Sequence, residues 1–224
     1  MKFKILKAAL AVSALLASSG AAADFGVGVK AGTLGLGVEG RWDPAVPWFD
    51  VRVGLNSYDY TKSGDEAGIE YDGTLALDNY YLTGNIKFPL SPFRLTVGAF
   101  SNGNELRLLS QDPEGGTYEI GGIPFDSATV GTLRSTTSFS STAPYVGFGF
   151  DFELFGKAGL NLDFGVLWQD EPTVTLEAEN WQDLSPVEQA FLGPSLETER
   201  AELEDEVSDF KAWPVISLAF VYNF

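Results

Sequence analysis

Five basic side chains, Lys30, Arg41, Arg52, Lys87 and Arg94, stand on the polar side of alternating apolar-polar segments. Four acids, Glu39, Asp50, Asp151 and Asp163, share that side. Carboxylates placed among guanidinium and ammonium groups pair with them, and a buried charge lacking such a partner is costly. The chemistry on offer is a linked network of ion pairs and hydrogen bonds. Catalysis is a poor fit, because the chain holds neither histidine nor cysteine. No imidazole can act as general base, proton shuttle or metal ligand, and no thiolate can attack or bind a soft metal. No catalytic residue, no resident cofactor and no enzyme activity is expected.

Several segments must position these charges. Phe49, Val51, Val53 and Leu55 alternate with Asp50, Arg52, Gly54 and Asn56. Phe93, Leu95, Val97 and Ala99 alternate with Arg94, Thr96, Gly98 and Phe100. The same period of two recurs over Asn79–Phe88, over Tyr145–Phe152 and over 157–169, where Leu167 is the one apolar residue on the polar side. It recurs again at the C-terminus, where Ile216, Leu218, Phe220, Tyr222 and Phe224 form one apolar face. Period-two patterning makes each of these a strand with one greasy face.

The connections alternate between short and long. Asp43–Pro47, Pro89–Pro92 and Glu153–Gly156 are brief, whereas 61–69, 110–134 and 171–211 are longer and polar. That rhythm fits a membrane barrel with tight turns at one end and long loops at the other. If the last strand finishes at the short-turn end, one more strand must precede Trp42. Phe25–Ala31 supplies it, turning at Gly32-Thr33 into a strand whose Leu34, Leu36, Val38 and Trp42 face lipid. The count is then eight, an even number. Trp42, Phe49, Phe88, Phe93, Phe152, Tyr222 and Phe224 cluster near the short-turn ends, as an interfacial girdle would. Eight strands leave an interior just wide enough for side chains to fill, so the charged faces meet in a plugged lumen.

The N-terminus carries Lys2, Lys4 and Lys7, an apolar run from Ala8 to Leu16 and Ala21-Ala22-Ala23 before Asp24. This reads as a cleaved signal peptide, residues 1–23, followed by a barrel domain, residues 24–224. No later segment is long and apolar enough for a spanning helix. The formal net charge of −17 makes nucleic acid an improbable partner.

Together the signal segment, the alternating strands, the loop rhythm and the terminal Phe224 resemble bacterial outer-membrane β-barrel proteins, the small eight-stranded OmpA-like and OmpW-like types above all. The resemblance implies an all-β, antiparallel, transmembrane fold in the outer membrane of a Gram-negative cell, in contact with outer-membrane lipid and lipopolysaccharide. It implies that barrel-assembly machinery reads Phe224 during insertion. It implies a non-enzymatic envelope-structural or surface-interaction role, or alternatively a narrow channel or transporter for small or hydrophobic solutes.

Two loop pieces carry local signals. Thr117–Phe125 reads as a small hairpin turning at Gly121-Gly122. From Asp170 to Asp209 there are thirteen acids and a single base, Arg200. Gly193-Pro194-Ser195, followed by Leu196, Leu203 and Val207, suggests a short amphipathic helix with proline in its first turn. The surrounding carboxylates in this long acidic loop, 171–210, could recruit divalent cations, since hard ions prefer oxygen ligands. If they do, chelation should speed proteolysis between Glu171 and Phe210, and equal cleavage with and without chelator would remove the idea.

Overall fold

The computed structural model describes residues 24–44, 46–66, 69–111 and 116–224. The expected signal segment lies outside them. Eight antiparallel strands close into a barrel: β1 (Asp24–Gly32), β2 (Gly35–Asp43), β3 (Phe49–Glu66), β4 (Ile69–Lys87), β5 (Phe93–Asn102), β10 (Thr142–Phe155), β11 (Ala158–Trp168) and β13 (Ala212–Asn223). Each expected strand is present, including the glycine-rich first one. Closure is made by β1 against β13, with Val27 opposite Tyr222 and Ala31 opposite Leu218. Both ends of that seam are stitched. The Phe224 amide donates to the Phe25 carbonyl at 2.8 Å, and the Thr33 hydroxyl donates to the Pro214 carbonyl at 2.8 Å.

Side chains sort by parity. Val29, Leu36, Leu82, Val97, Val146 and Ile216 are exposed on the outside, while Asp50, Arg52, Asn85, Arg94 and Asp163 are buried within. Leu34 departs from its expected outward position. It is buried inside the barrel, because the turn at Thr33-Leu34 and the positive φ of Gly35 (93°) reset the alternation, which resumes outward at Leu36.

The long connections are folded rather than open loops. The 61–69 connection is mostly strand: β3 and β4 run 18 and 19 residues, about twice what a bilayer requires. Their polar tips hold by pairing, as where Ser63 donates to Asp72 at 2.7 Å. Beside β4 the wall is extended by β6 (Glu105–Ser110), β9 (Leu133–Ser138) and β12 (Thr173–Ala178), hydrogen-bonded in that order. The expected hairpin forms as β7 (Thr117–Ile120) and β8 (Ile123–Asp126), turning on two glycines with φ of 57° and 73°. It is a separate two-stranded sheet, not an extension of a barrel strand pair. The short helix α1 (Ser127–Val130) follows it. These pieces bury Tyr118, Ile120, Val130 and Leu133 with Leu192 and Leu196 in a second core above the barrel.

The last two of those residues belong to α2 (Pro186–Val207), which begins eight residues earlier than the sequence suggests. Its true start is a capping box. Ser185 Oγ accepts from the Glu188 amide, and Glu188 Oε2 accepts from the Ser185 amide at 2.8 Å, with Pro186 in the first turn. Pro194 therefore lies inside the helix rather than at its start. The buried Leu192, Ser195 and Leu196 hold that turn against the cap, which offsets the hydrogen bond a mid-helix proline cannot make. Replacing Ser185 with alanine should destabilise the first turn by about 1 kcal/mol. Limited proteolysis should then cut faster ahead of Glu188 with barrel heat resistance unchanged; equal cutting rates would show that the box contributes nothing.

Candidate functional site

The inward residues of the eight strands meet in layers. At the short-turn end, Arg41 Nη2 donates to Asp43 Oδ1 at 2.9 Å and Lys87 pairs with the same carboxylate. Above it, Arg52 Nε donates to Asp50 at 2.9 Å and Arg52 Nη2 donates to Asp151 at 2.7 Å. Arg94 shares Asp151 through its Nε at 2.9 Å and pairs with Asp163 through Nη2. Next, Lys30 Nζ lies 3.3 Å from Glu39 and 3.2 Å from Asp163. The Tyr81 hydroxyl completes that layer by donating to Glu39 at 2.7 Å.

All nine charged residues singled out in the sequence lie in this cluster, each within 4 Å of an opposite charge. Neutral side chains add further hydrogen bonds. Asn85 donates to Asp50 at 2.7 Å and accepts from Arg94 at 2.9 Å. Ser217 donates to Asp163 at 3.3 Å. One acid escaped the sequence reading. Asp43 looked like part of the following turn, yet it ends β2 with the parity of Glu39 and Arg41, and that parity was the available signal. With Asp43 included the cluster holds five bases and five acids, so it carries no net charge. The pairing matters energetically, since Arg52 and Arg94 are 2% and 1% exposed.

Above the charges the lumen changes character. Leu34, Tyr81, Phe100, Ala143, Tyr145, Leu167 and Val215 form an apolar layer across the barrel. Tyr81 and Phe100 stack with centroids 4.9 Å apart, and Phe100 lies 5.3 Å from Tyr145. The rings need a bare wall to lie against. A Cβ on Gly165 would stand 2.4 Å from the Tyr145 hydroxyl, and one on Gly54 would stand 2.4 Å from the Tyr81 ring. Sequence reading placed Phe100, Tyr145 and Leu167 on inward faces without recognising that they assemble into a layer. Single apolar residues in different strands reveal no common height until register is known. Still nearer the long-loop end, Asn79 donates to Asn104 at 2.8 Å and Asn102 donates to Gln169 at 3.3 Å, a neutral amide layer.

Two cavities bracket the charged cluster. A vestibule of about 310 Å³ opens at the short-turn end, lined by Arg41, Lys87 and Phe93 and reaching in to Asp151 and Asn161. A second, of about 10 Å³, lies between charges and rings beside Lys30, Glu39 and Tyr81. It is of the size of a single water.

Among the described residues no three acids come together in a way that could hold a metal ion. Arg200 engages two of them, donating to Glu197 at 2.7 Å and pairing with Glu204, and its hydrogen bonds hold the Glu197 carboxyl below the usual carboxylate range. Ile216, Leu218, Phe220 and Tyr222 line the outer face of β13, Phe224 follows just past its end, and all five are about half exposed.

No protein-family model matches the chain, and no curated protein matches it by sequence. Solved structures do match by shape. The crystal structure of CarO2 of Acinetobacter baumannii superposes with a TM-score of 0.58 at 21% identity, covering 90% of this chain and 98% of that one. CarO of the same organism gives 0.56 at 21% identity, covering 89% and 97%. At that identity the likeness is one of fold, and it spans nearly the whole of both partners. The chain has the closed, eight-stranded antiparallel barrel of outer-membrane proteins.

Proposed function

We propose that the chain is a non-enzymatic integral outer-membrane barrel of the small eight-stranded OmpA-like or OmpW-like kind, with a closed lumen and a folded outer cap that serves envelope integrity and surface contact. The observation that carries this reading is the content of the lumen. A charge-neutral ion cluster is topped by an apolar layer, and both span the interior. A lumen balanced at five bases and five acids offers no net field to draw in ions of one sign. The apolar outer wall supports residence in lipid, where a sheet must close into a ring to satisfy every backbone donor and acceptor. The absence of imidazole and thiol from the sequence supports a role outside catalysis.

The vestibule favours one alternative, a narrow path for small solutes. Its polar lining reaches Asp151, so a solute could approach the charged layer from one side. To cross, it would have to displace both the Arg52–Asp151–Arg94 bridge and the ring layer. The two readings separate in planar bilayers. The closed-lumen reading expects no discrete conductance from the intact protein. It expects Arg94→Ala to leave Asp151 with Arg52 alone and Asp163 with Lys30 alone, costing up to roughly 3–5 kcal/mol, the range for a broken buried pair, and to lower the temperature at which the barrel loses its folded gel mobility. Reproducible single-channel steps from the intact barrel, altered by Arg94→Ala at undiminished heat resistance, would establish the channel instead.

A further inference from the structure

Helix α2 turns one face largely away from the rest of the molecule, with Thr198 on that face lying beside Gly121 of the β7–β8 turn. Val187, Ala190, Phe191, Pro194, Thr198 and Ala201 are all exposed and recur at steps of three and four, so they line one side of the helix. Phe191 is 71% and Val187 65% exposed, while Leu192 and Leu196 hold the opposite face against the cap core. The stripe is edged by exposed acids, Glu188, Glu197, Glu202 and Asp205. The one base in the region, Arg200, is engaged with Glu197 and Glu204.

We propose that this seam docks a cationic amphipathic helix of a partner polypeptide, with the partner's apolar stripe on Val187 and Phe191 and its Lys and Arg flanks on the acids. Val187, Ala190, Phe191 and Pro194 stand at i, i+3, i+4 and i+7, the spacing by which one helix reads another. The stripe runs roughly 20 Å from Val187 to Ala201 at the usual helical rise, enough for about four turns of contact. Charge chooses the occupant. A second copy of this chain would bring the same acids opposite the first set, a like-charge arrangement that costs stability. A lipid surface would draw Glu188 and Glu197 into apolar surroundings beside Phe191, which their ionised carboxylates resist.

The proposal rests on the outward display of the cap, and the two can be tested apart. The chain has no cysteine, so Thr198→Cys creates a single labelling site. A membrane-impermeant maleimide should label it on intact cells; failure to label overturns surface display and the proposal with it. With display established, the full-length barrel in zwitterionic detergent is titrated with a synthetic leucine-lysine amphipathic helix and with a scrambled peptide of the same composition. The amphipathic peptide should bind more tightly than the scrambled one. The Val187→Ser/Phe191→Ser variant should lose affinity for it by roughly tenfold or more, as expected on removing an anchoring aromatic. Glu202→Gln/Asp205→Asn should flatten the salt dependence. Equal binding of the two peptides, or unchanged binding by the serine variant, would reduce the effect to diffuse attraction by acids and overturn the seam. Both serine positions are exposed, so barrel heat resistance should stay as it is.

Discussion

Ring closure between the first strand and the last is the constraint on which the rest depends. An open sheet leaves a row of unpaired backbone groups at each edge, and pairing β1 with β13 removes both edges at once. Seven facing residue pairs join them, from Gly26–Asn223 to Gly32–Ser217. Thr33 and Phe224 lock the ends. Once the ring is shut, every second side chain has only two destinations. Val29 and Ile216 go outward, and Lys30 and Ser217 go in. The charged cluster is a consequence of closure as much as a cause of stability.

Inside the ring, small barrels face a problem of filling. Burying five bases is tolerable because five acids are interleaved among them and the neutral Asn85, Thr96 and Ser217 supply further hydrogen bonds. Such clusters gain little over apolar packing but lose much when one member is removed. The aromatic layer solves the same filling problem differently. Bulky rings sit where the wall is stripped to glycine, so Tyr145 and Gly165 together occupy the space of two ordinary residues. Polar cluster, ring layer and amide layer succeed one another along the axis, and the outer wall around the ion cluster is apolar, with Leu95, Val97, Phe148 and Leu218 exposed on it.

Most of the wall was legible because a closed barrel with an apolar outside and a polar inside imposes strict alternation. Leu160, Leu162, Phe164 and Val166 could hardly be read as anything but one face of a strand. The ion cluster was legible for the same reason, since parity alone assigns Arg52 and Asp163 to the interior. What was hidden depended on height and on context. Leu34 obeyed the pattern in sequence but followed a turn that broke it. Asp43 was obscured by the proline after it. The polar tips of β3 and β4 looked like loop because composition reports solvent exposure, whereas their hydrogen-bonded partners decide their conformation. Helix α2 was half seen: Gly193-Pro194 resembles a start, and the stronger Ser185–Glu188 box lay one step upstream.

The seam has a kinetic side. The Thr33 hydroxyl and the Ile216 amide that it receives are separated by 183 positions along the chain. Neighbouring hairpins such as β1–β2 assemble from segments already near each other, but this contact gathers nearly the entire polypeptide into one loop. Its entropic toll exceeds that of any rung between strands adjacent in sequence, and topologies dominated by such distant contacts fold slowly. Until that rung forms, two unpaired strand edges stand open at once. Delivery of the C-terminal segment to the waiting N-terminal one is therefore the step at which assistance during biogenesis has the most to gain.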